Sequence, residues 1–347
     1  MCLHNCDQLI KTQEIFLVAL SRYLNGRIIQ KSDLIISLFL PSYTFKNNAI
    51  KIIDLYNSFE APLPRIPVSS AEMGIELYRG NNKYVYQMME YLKNHLKNDL
   101  FSAFVHGSLG TYEEITYSDF DALAIIKNEV FKNPARLADV ARKISDSRKI
   151  MYDFDPLQHH GWFVLTERDL GCYPEYYFPS ILLKYAKALF PEEGIELRIP
   201  SLNLNFDLRR SFDSTSANII KRLEKKNYPR NIYQLKSLLS QFMLLPSLYL
   251  QAKYRKATYK KFSFDEAKKD FSEKDWEMME EISSLRRSWN EKISGYRKSV
   301  MSKPSPLRNM CGRYLTPKIS KDVSGKLTPR FYSEMKRLTI SMRNNAL

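Results

Sequence analysis

The chain has 347 residues, with 53 Lys and Arg against 38 Asp and Glu, which gives a formal charge of +15. This length is about twice that of an average domain, so it predicts two domains or one domain with a large extension. A composition of 44% hydrophobic and 13% aromatic residues excludes wholesale disorder. No apolar run approaches the roughly 20 residues that cross a bilayer, and no signal-peptide pattern is present. We expect a soluble, cytoplasmic protein without a membrane partner.

The first part of the chain has helical apolar spacing up to about residue 60, followed by three prolines between Ala61 and Ser70. We expect an accessory helical region over residues 1–80. From residue 81 to 200 the pattern changes to alternating helices and short apolar strands, which predicts an α/β unit with a mixed sheet and flanking helices. The predicted helices are Asn82–Asn98 and 134–148, and the predicted strands are Phe101–Val105, Ala122–Ile126, Lys149–Asp155 and Trp162–Thr166.

Beyond residue 200 the pattern is helical. Residues 233–252 are strongly apolar at helical spacing, with a kink expected at Pro246, and this predicts a helical domain over 201–295. The last segment, 292–347, holds thirteen Lys and Arg against two acidic residues, so it carries +11. Because prolines are scattered among these cations, we expect a partly ordered basic arm over 296–347.

One short stretch contains residues that could bind a phosphate and a metal ion. A strand ends in Gly107-Ser108, and about ten residues later Asp119 and Asp121 open the next strand. Strand side chains alternate in direction, so the two carboxylates are expected on one face, where they repel each other unless a cation lies between them. Gly107 lets the backbone approach a phosphate closely, and Ser108 can donate to its oxygens. Hard divalent ions are held by carboxylates together with substrate phosphates.

This arrangement resembles the nucleotidyltransferase superfamily that includes DNA polymerase β, whose motif is a strand, Gly-Ser or Gly-Gly, about ten residues, and then Asp-hydrophobic-Asp-hydrophobic. Gly107-Ser108 and Asp119-Phe120-Asp121-Ala122 match it, whereas His106 departs from the hydrophobic residue that commonly precedes the glycine. Residues 244–250, 260–264 and 285–289 are similar to the helical domain of bacterial-type members. The resemblance implies a nucleotidyltransferase-fold sheet with flanking helices, followed by a mainly α-helical domain.

The resemblance also implies a third carboxylate on a later strand. Asp155 is the preferred candidate and Asp153 the second, and the two would share one strand face. The histidines that follow, His159 and His160, could bind a metal, shuttle a proton or only bond the backbone.

The activity that the resemblance implies is transfer of a nucleoside monophosphate from an NTP, ATP among them, to a hydroxyl, with release of pyrophosphate. Gly107 and Ser108 would bind the nucleotide. Asp119, Asp121 and Asp155 would hold Mg²⁺ or Mn²⁺. The acceptor stays open between an RNA or tRNA end, a protein and a small molecule, and the basic segment would bind RNA or an acidic partner protein. The alternative is a non-catalytic nucleotide- or RNA-binding module on the same fold.

Overall fold

The computed structural model describes residues 2–27, 41–58, 70–200, 209–255, 257–305 and 307–346. The chain divides into two compact units. The first contains Met1–Glu114, Ser118–Leu204 and Ser299–Asn309, and the second contains Ile115–Tyr117, Asn205–Lys298 and Met310–Leu347. No helix in the described ranges is long and apolar enough to span a membrane.

A mixed sheet, as the sequence predicts, forms the centre of the first unit; it has four strands, and Lys187–Phe190 is not among the predicted ones. Its strands in spatial order are β4 (Phe163–Thr166), β3 (Ala122–Ile126), β2 (Leu100–Val105) and β5 (Lys187–Phe190). Strand β2 is antiparallel to β3 and β5, and β3 is parallel to β4. The two central strands are almost continuous apolar runs because both of their faces are covered.

The strand register decides which loops meet. Val105 at the end of β2 pairs with Ala122 at the start of β3, and Leu123 pairs with Phe163 at the start of β4. The residues after β2, before β3 and before β4 therefore lie at the same edge of the sheet. A separate two-stranded antiparallel sheet pairs β1 (Ser70–Ile75) with β6 (Ile195–Pro200).

The described ranges of the first unit also contain four longer helices. They are α1 (Cys2–Leu24), α2 (Pro41–Ser58), α3 (Lys83–His95) and α5 (Pro134–Phe154), and a single helical turn, α4 (Gly107–Gly110), follows β2. Phe16 and Leu20 of α1 and Ile52 of α2 are buried in the same apolar core as the sheet. Short 3₁₀ helices occupy Asn128–Lys132, Glu167–Leu170 and Ser180–Tyr185.

Helix α5 corrects one sequence prediction. It begins at Asn133, whose side chain accepts the N–H groups of Ala135 and Arg136, and it continues to Phe154. The predicted strand Lys149–Asp155 is therefore wrong. A short apolar run is compatible with both the helical and the strand periodicity. No glycine or proline lies between residues 135 and 155, so the helix continues to Phe154, just before Pro156.

The second unit is helical in its described residues. Its first helices are α6 (Arg209–Glu224), α7 (Ile232–Phe242), α8 (Leu245–Tyr254), α9 (Lys260–Lys268) and α10 (Glu273–Arg287). The kink expected at Pro246 is a complete break: α7 ends at Phe242, and Pro246 lies in the first turn of α8, where its missing N–H costs no helical hydrogen bond.

The C-terminal segment is more ordered than the predicted arm. It forms α11 (Gly295–Met301), α12 (Arg308–Leu315), α13 (Lys321–Lys326) and α14 (Pro329–Asn345). Helix α14 is capped by Thr328, which accepts the N–H of Phe331, and it buries one apolar face. Pro329 marks a helix start, which is a position that proline favours, and our prediction had taken it as a sign of disorder.

Candidate functional site

The turn after β2 brings its backbone against the aspartates. The N–H of His106 donates to the carbonyl of Asp121 at 2.9 Å, and Gly107 follows with φ +65°. A Cβ on Gly107 would lie 2.6 Å from Oδ2 of Asp121. Glycine is therefore required here both for the backbone conformation and for the space that the Asp121 carboxylate fills. Ser108 comes next, in the single turn α4.

Asp119 and Asp121 lie immediately before β3, and the structure brings their carboxylates together. Oδ2 of Asp119 is 3.7 Å and Oδ1 of Asp121 is 3.1 Å from the same atom, Nε2 of His160. His160 lies three residues before β4, at the same edge of the sheet as the end of β2 and the start of β3. The side chain next to the carboxylate pair is thus His160, for which the sequence allowed metal binding, proton transfer or a bond to the backbone.

The electrostatics of this cluster favour a charged histidine. Burial lowers the pKa of His160, but the close carboxylates of Asp119 and Asp121, the second of them 3.1 Å from Nε2, raise it well above its usual value. Burial raises the pKa of Asp121, while the hydrogen bond from His160 and the nearby positive charge bring it below its usual value. The two carboxylates therefore stabilise the charged form of the His160 ring, whose Nδ1 lies 3.2 Å from the carbonyl oxygen of Gly161.

A buried glutamine joins the two halves of the site. Oε1 of Gln158 accepts the N–H of Phe120 at 2.8 Å, and Nε2 donates to the carbonyls of Phe120 at 3.1 Å and His160 at 3.0 Å. Gln158 is fully buried, so these bonds are shielded from water. Sequence reasoning missed this residue, because no local pattern signals a contact between positions 38 residues apart.

The two candidates for the third carboxylate are not on a shared strand face, because that strand is absent. Asp153 lies in the last turn of α5 and forms an ion pair with Lys149 at 2.5 Å. Asp155 is buried just after α5, where its Oδ1 accepts the N–H of Leu157 at 3.0 Å. The carbonyl of His159 accepts a hydrogen bond from Arg27 at 2.9 Å.

Four cations lie in the stretches 260–264 and 285–289, which are similar to the helical domain of bacterial-type members, and all four belong to the second unit. Lys260 and Lys261 begin α9, and Arg286 and Arg287 end α10. The guanidinium of Arg286 lies 4.6 Å from the ring centroid of Tyr117.

His106 is a second unusual histidine at this edge. Burial lowers its pKa to about 4, although the charge of Asp121 acts in the opposite direction. Its Nε2 is buried and has no hydrogen-bond partner among the described residues. Its ring packs against Phe178 and Phe163, with ring centroids 5.1 and 5.7 Å away.

We predict that His106→Leu raises the free energy of unfolding at pH 7 by about 1 kcal/mol, because it removes a buried polar atom without a partner. Below pH 6.5 the unfolded chain binds a proton that the folded ring excludes until about pH 4. The wild type should therefore lose up to about 3 kcal/mol across this interval relative to the variant. Urea unfolding of both proteins between pH 4 and 7 checks this, and parallel pH profiles would contradict it.

We also predict that Gly107→Ala destabilises the first unit by more than the about 1–2 kcal/mol that the left-handed backbone alone costs. The added methyl group must also displace the carboxylate of Asp121. Gly295→Ala is the matched control, since Gly295 has φ +59° but nothing within 4 Å of a Cβ. The measurement is urea unfolding of each unit. Equal losses in both variants would show that the contact with Asp121 has no cost.

The donor set decides whether a metal ion fits. The carboxylates of Asp119 and Asp121 both lie near Nε2 of His160, and Gly107 leaves room for the carboxylate of Asp121. Across the described ranges, no group of three or more His, Cys, Asp or Glu side chains is arranged to hold a metal ion. Two carboxylates are too few for a closed structural site, which takes four protein ligands, and an ion such as Mg²⁺ or Mn²⁺ would have to complete its shell with water and substrate phosphates.

Comparison with known proteins gives no family for the chain. No protein-family model matches it, and searches of curated proteins and of solved structures likewise find no match.

Proposed function

We propose that the chain is a metal-dependent nucleotidyltransferase, which moves a nucleoside monophosphate from an NTP to a hydroxyl acceptor and releases pyrophosphate. The observation that carries the proposal is the convergence of Asp119 and Asp121 on Nε2 of His160, which lies 3.7 and 3.1 Å from their oxygens, next to the Gly107 turn. Two partly buried carboxylates held this close repel each other unless a positive charge lies beside them.

The chain's own residues have distinct parts in this proposal. The Gly107-Ser108 turn binds phosphate oxygens through its backbone and the Ser108 hydroxyl. Asp119 and Asp121 would hold Mg²⁺ or Mn²⁺, which when bound neutralises charge on the triphosphate and lowers the pKa of the attacking hydroxyl. Asp155 stays the candidate third carboxylate, because it is buried in the loop that leads to His160.

His160 would move the proton of the attacking hydroxyl. Its high pKa depends on the charges of Asp119 and Asp121. With a metal ion held by Asp119 and Asp121, less of their negative charge would act on the ring, so its pKa would be lower and a neutral Nε2 would be able to accept the proton of the attacking hydroxyl.

The surface of the second unit indicates the class of acceptor, because its exposed cations and aromatic rings would bind a polyanion. Tyr296 and Tyr314 are 67% and 78% exposed, and rings of this kind stack on bases. An RNA end is therefore the favoured acceptor, ahead of a protein hydroxyl or a small molecule. The second candidate function is a nucleotide- or RNA-binding module without catalysis on the same fold.

The test is incubation of the protein with each α-labelled NTP, Mg²⁺ or Mn²⁺ and a cell extract, followed by separation of RNA, protein and small molecules. Label in one fraction, with matching release of pyrophosphate and none from Asp119→Asn, supports the proposal and identifies the acceptor class. Binding of an NTP without release of pyrophosphate from any of the four would favour the binding module.

A further inference from the structure

Arg308 stands apart from the other cations of the basic C-terminal segment. It lies in Ser299–Asn309, the part of that segment that belongs to the first unit. Its side chain is only 4% exposed, and its guanidinium lies 3.7 Å from the ring centroid of Tyr152 on α5. A cation placed in this way cannot meet a polyanion in solvent, so its charge has another use.

The guanidinium donates to backbone carbonyls. Nη2 donates to Pro156 at 2.8 Å, Nη1 to Gln158, and Nε to Met301 at 3.1 Å. Pro156 and Gln158 are in the loop that runs from the end of α5 to His160. The rigid fork of arginine can hold two carbonyls of one loop at fixed spacing, which a lysine ammonium cannot reproduce.

The rest of this loop is held in the same way. The carbonyl of His159 accepts from Arg27, and the carbonyl of His160 accepts from Gln158. Asn25 bonds both the N–H and the carbonyl of Trp162, at 2.8 and 2.9 Å. A loop without regular structure thus has its backbone fixed by long-range side chains, as a precise placement of His160 and Gln158 requires.

We propose that Arg308 is a positioning residue, which fixes the Pro156–Gly161 loop and thereby sets His160 and Gln158 against the Asp119-Phe120-Asp121 segment. Its effect on turnover rests on the proposed function, whereas its effect on the loop does not. Arg308 touches neither substrate nor carboxylate in this role, and it acts through Gln158, which bonds Phe120 in both directions.

A simpler role for Arg308 would be to anchor residues 299–309 to the first unit. Ser302 offers the matched control, because its hydroxyl donates to the carbonyl of Tyr152 at 3.2 Å and anchors the same residues without contact to the loop. If anchoring is the whole role, Ser302→Ala and Arg308→Met should change the loop in the same way.

The experiment measures amide hydrogen exchange in the full chain for the wild type, Arg308→Lys, Arg308→Met and Ser302→Ala. We expect Arg308→Met to accelerate exchange about tenfold or more at Phe120 and Gln158, with Ala124 in β3 unchanged and Arg308→Lys intermediate. Ser302→Ala should leave Phe120 at its wild-type rate. Unchanged exchange at Phe120 and Gln158, or equal acceleration at Ala124, would overturn the proposal.

Turnover gives a second readout. In Arg308→Ala, kcat should fall at least about tenfold with an unchanged KM for the NTP, because the phosphate turn is intact. Millimolar guanidinium chloride, but not sodium chloride at the same ionic strength, should restore part of the lost kcat. If the wild type turns over no NTP, the proposed function fails, and the exchange rates still decide the positioning role of Arg308.

Discussion

Replacing Asp119 or Asp121 by asparagine is expected to lower nucleotide transfer at least about 10³-fold, because each change removes one of the two carboxylate charges of the pair that would hold the metal ion. Asparagine keeps the size of the side chain, so the sheet should fold as before. The measurement is single-turnover transfer from labelled NTP at saturating Mg²⁺, with circular dichroism and thermal unfolding as checks of the fold.

Asp139→Asn is the matched control for this pair, because Asp139 forms ion pairs only on the exposed surface of α5, with Arg142 and Lys143. It removes the same charge from the same unit, so any general effect of net charge appears in it as well. Transfer within about tenfold of the wild type by Asp119→Asn and Asp121→Asn would remove the basis of the proposed function.

The same assay separates the candidates for the third carboxylate. Asp153 is engaged with Lys149 on a helix, so we expect Asp153→Asn to retain most of the activity. Asp155 and His160 belong to the loop beside the carboxylate pair, and a loss in either variant would assign the proton-transfer or third-ligand role to that residue.

The parts of the fold that sequence could predict are those with a local signal. Strands β2 and β3 are short apolar runs bounded by polar loops, and Gly107 and the Asp119–Asp121 pair occur at their ends. Once two adjacent strands are antiparallel, the end of one and the start of the next lie together, so proximity of the turn and the aspartates follows from their order alone.

The rest of the site depends on contacts that leave no local trace. His160 reaches the aspartates because β4 is parallel to β3, and the sequence contains no sign of that register. Gln158 bonds a backbone 38 residues away, and Arg308 bonds one 150 residues away. A glutamine or arginine in a polar stretch looks the same whether it is solvated or buried, so only the folded chain distinguishes the two.

The net charge of the C-terminal segment overstates the number of cations available to a partner, again because the contacts of each side chain leave no local trace in the sequence. The segment 292–347 has +11 in the sequence, but several of its cations are engaged with other parts of the protein. Arg308 is buried, Lys336 pairs with Glu224 at 3.2 Å, and Arg337 pairs with Asp275 and Glu334. Apart from Arg337, the exposed cations of the segment are Lys292, Arg297, Lys298, Lys303, Arg313, Lys318, Lys321, Lys326 and Arg330.

Deleting residues 328–347 is expected to unfold the second unit and not merely to weaken RNA binding. Helix α14 packs against α6, α8 and α10, and the ring of Tyr332 stacks on Tyr228 with centroids 4.0 Å apart. Each large apolar side chain that it buries contributes about 1.5–3 kcal/mol, so the five together approach the total stability of a typical domain. They are Phe331, Tyr332, Met335, Leu338 and Met342.

The contrast is a variant with the five exposed cations that precede the buried face of α14 changed to glutamine, namely Arg313, Lys318, Lys321, Lys326 and Arg330. It leaves the buried face of α14 intact, so its urea unfolding should match the wild type, whereas the truncated chain should lose the cooperative transition of the second unit. Binding of a single-stranded RNA should then lose about 0.7 from its salt slope for each phosphate contact removed. If the truncated chain keeps that transition, α14 is dispensable for folding. If the glutamine variant keeps the wild-type salt slope, this surface is not where RNA binds, and a protein or small-molecule acceptor becomes the better proposal.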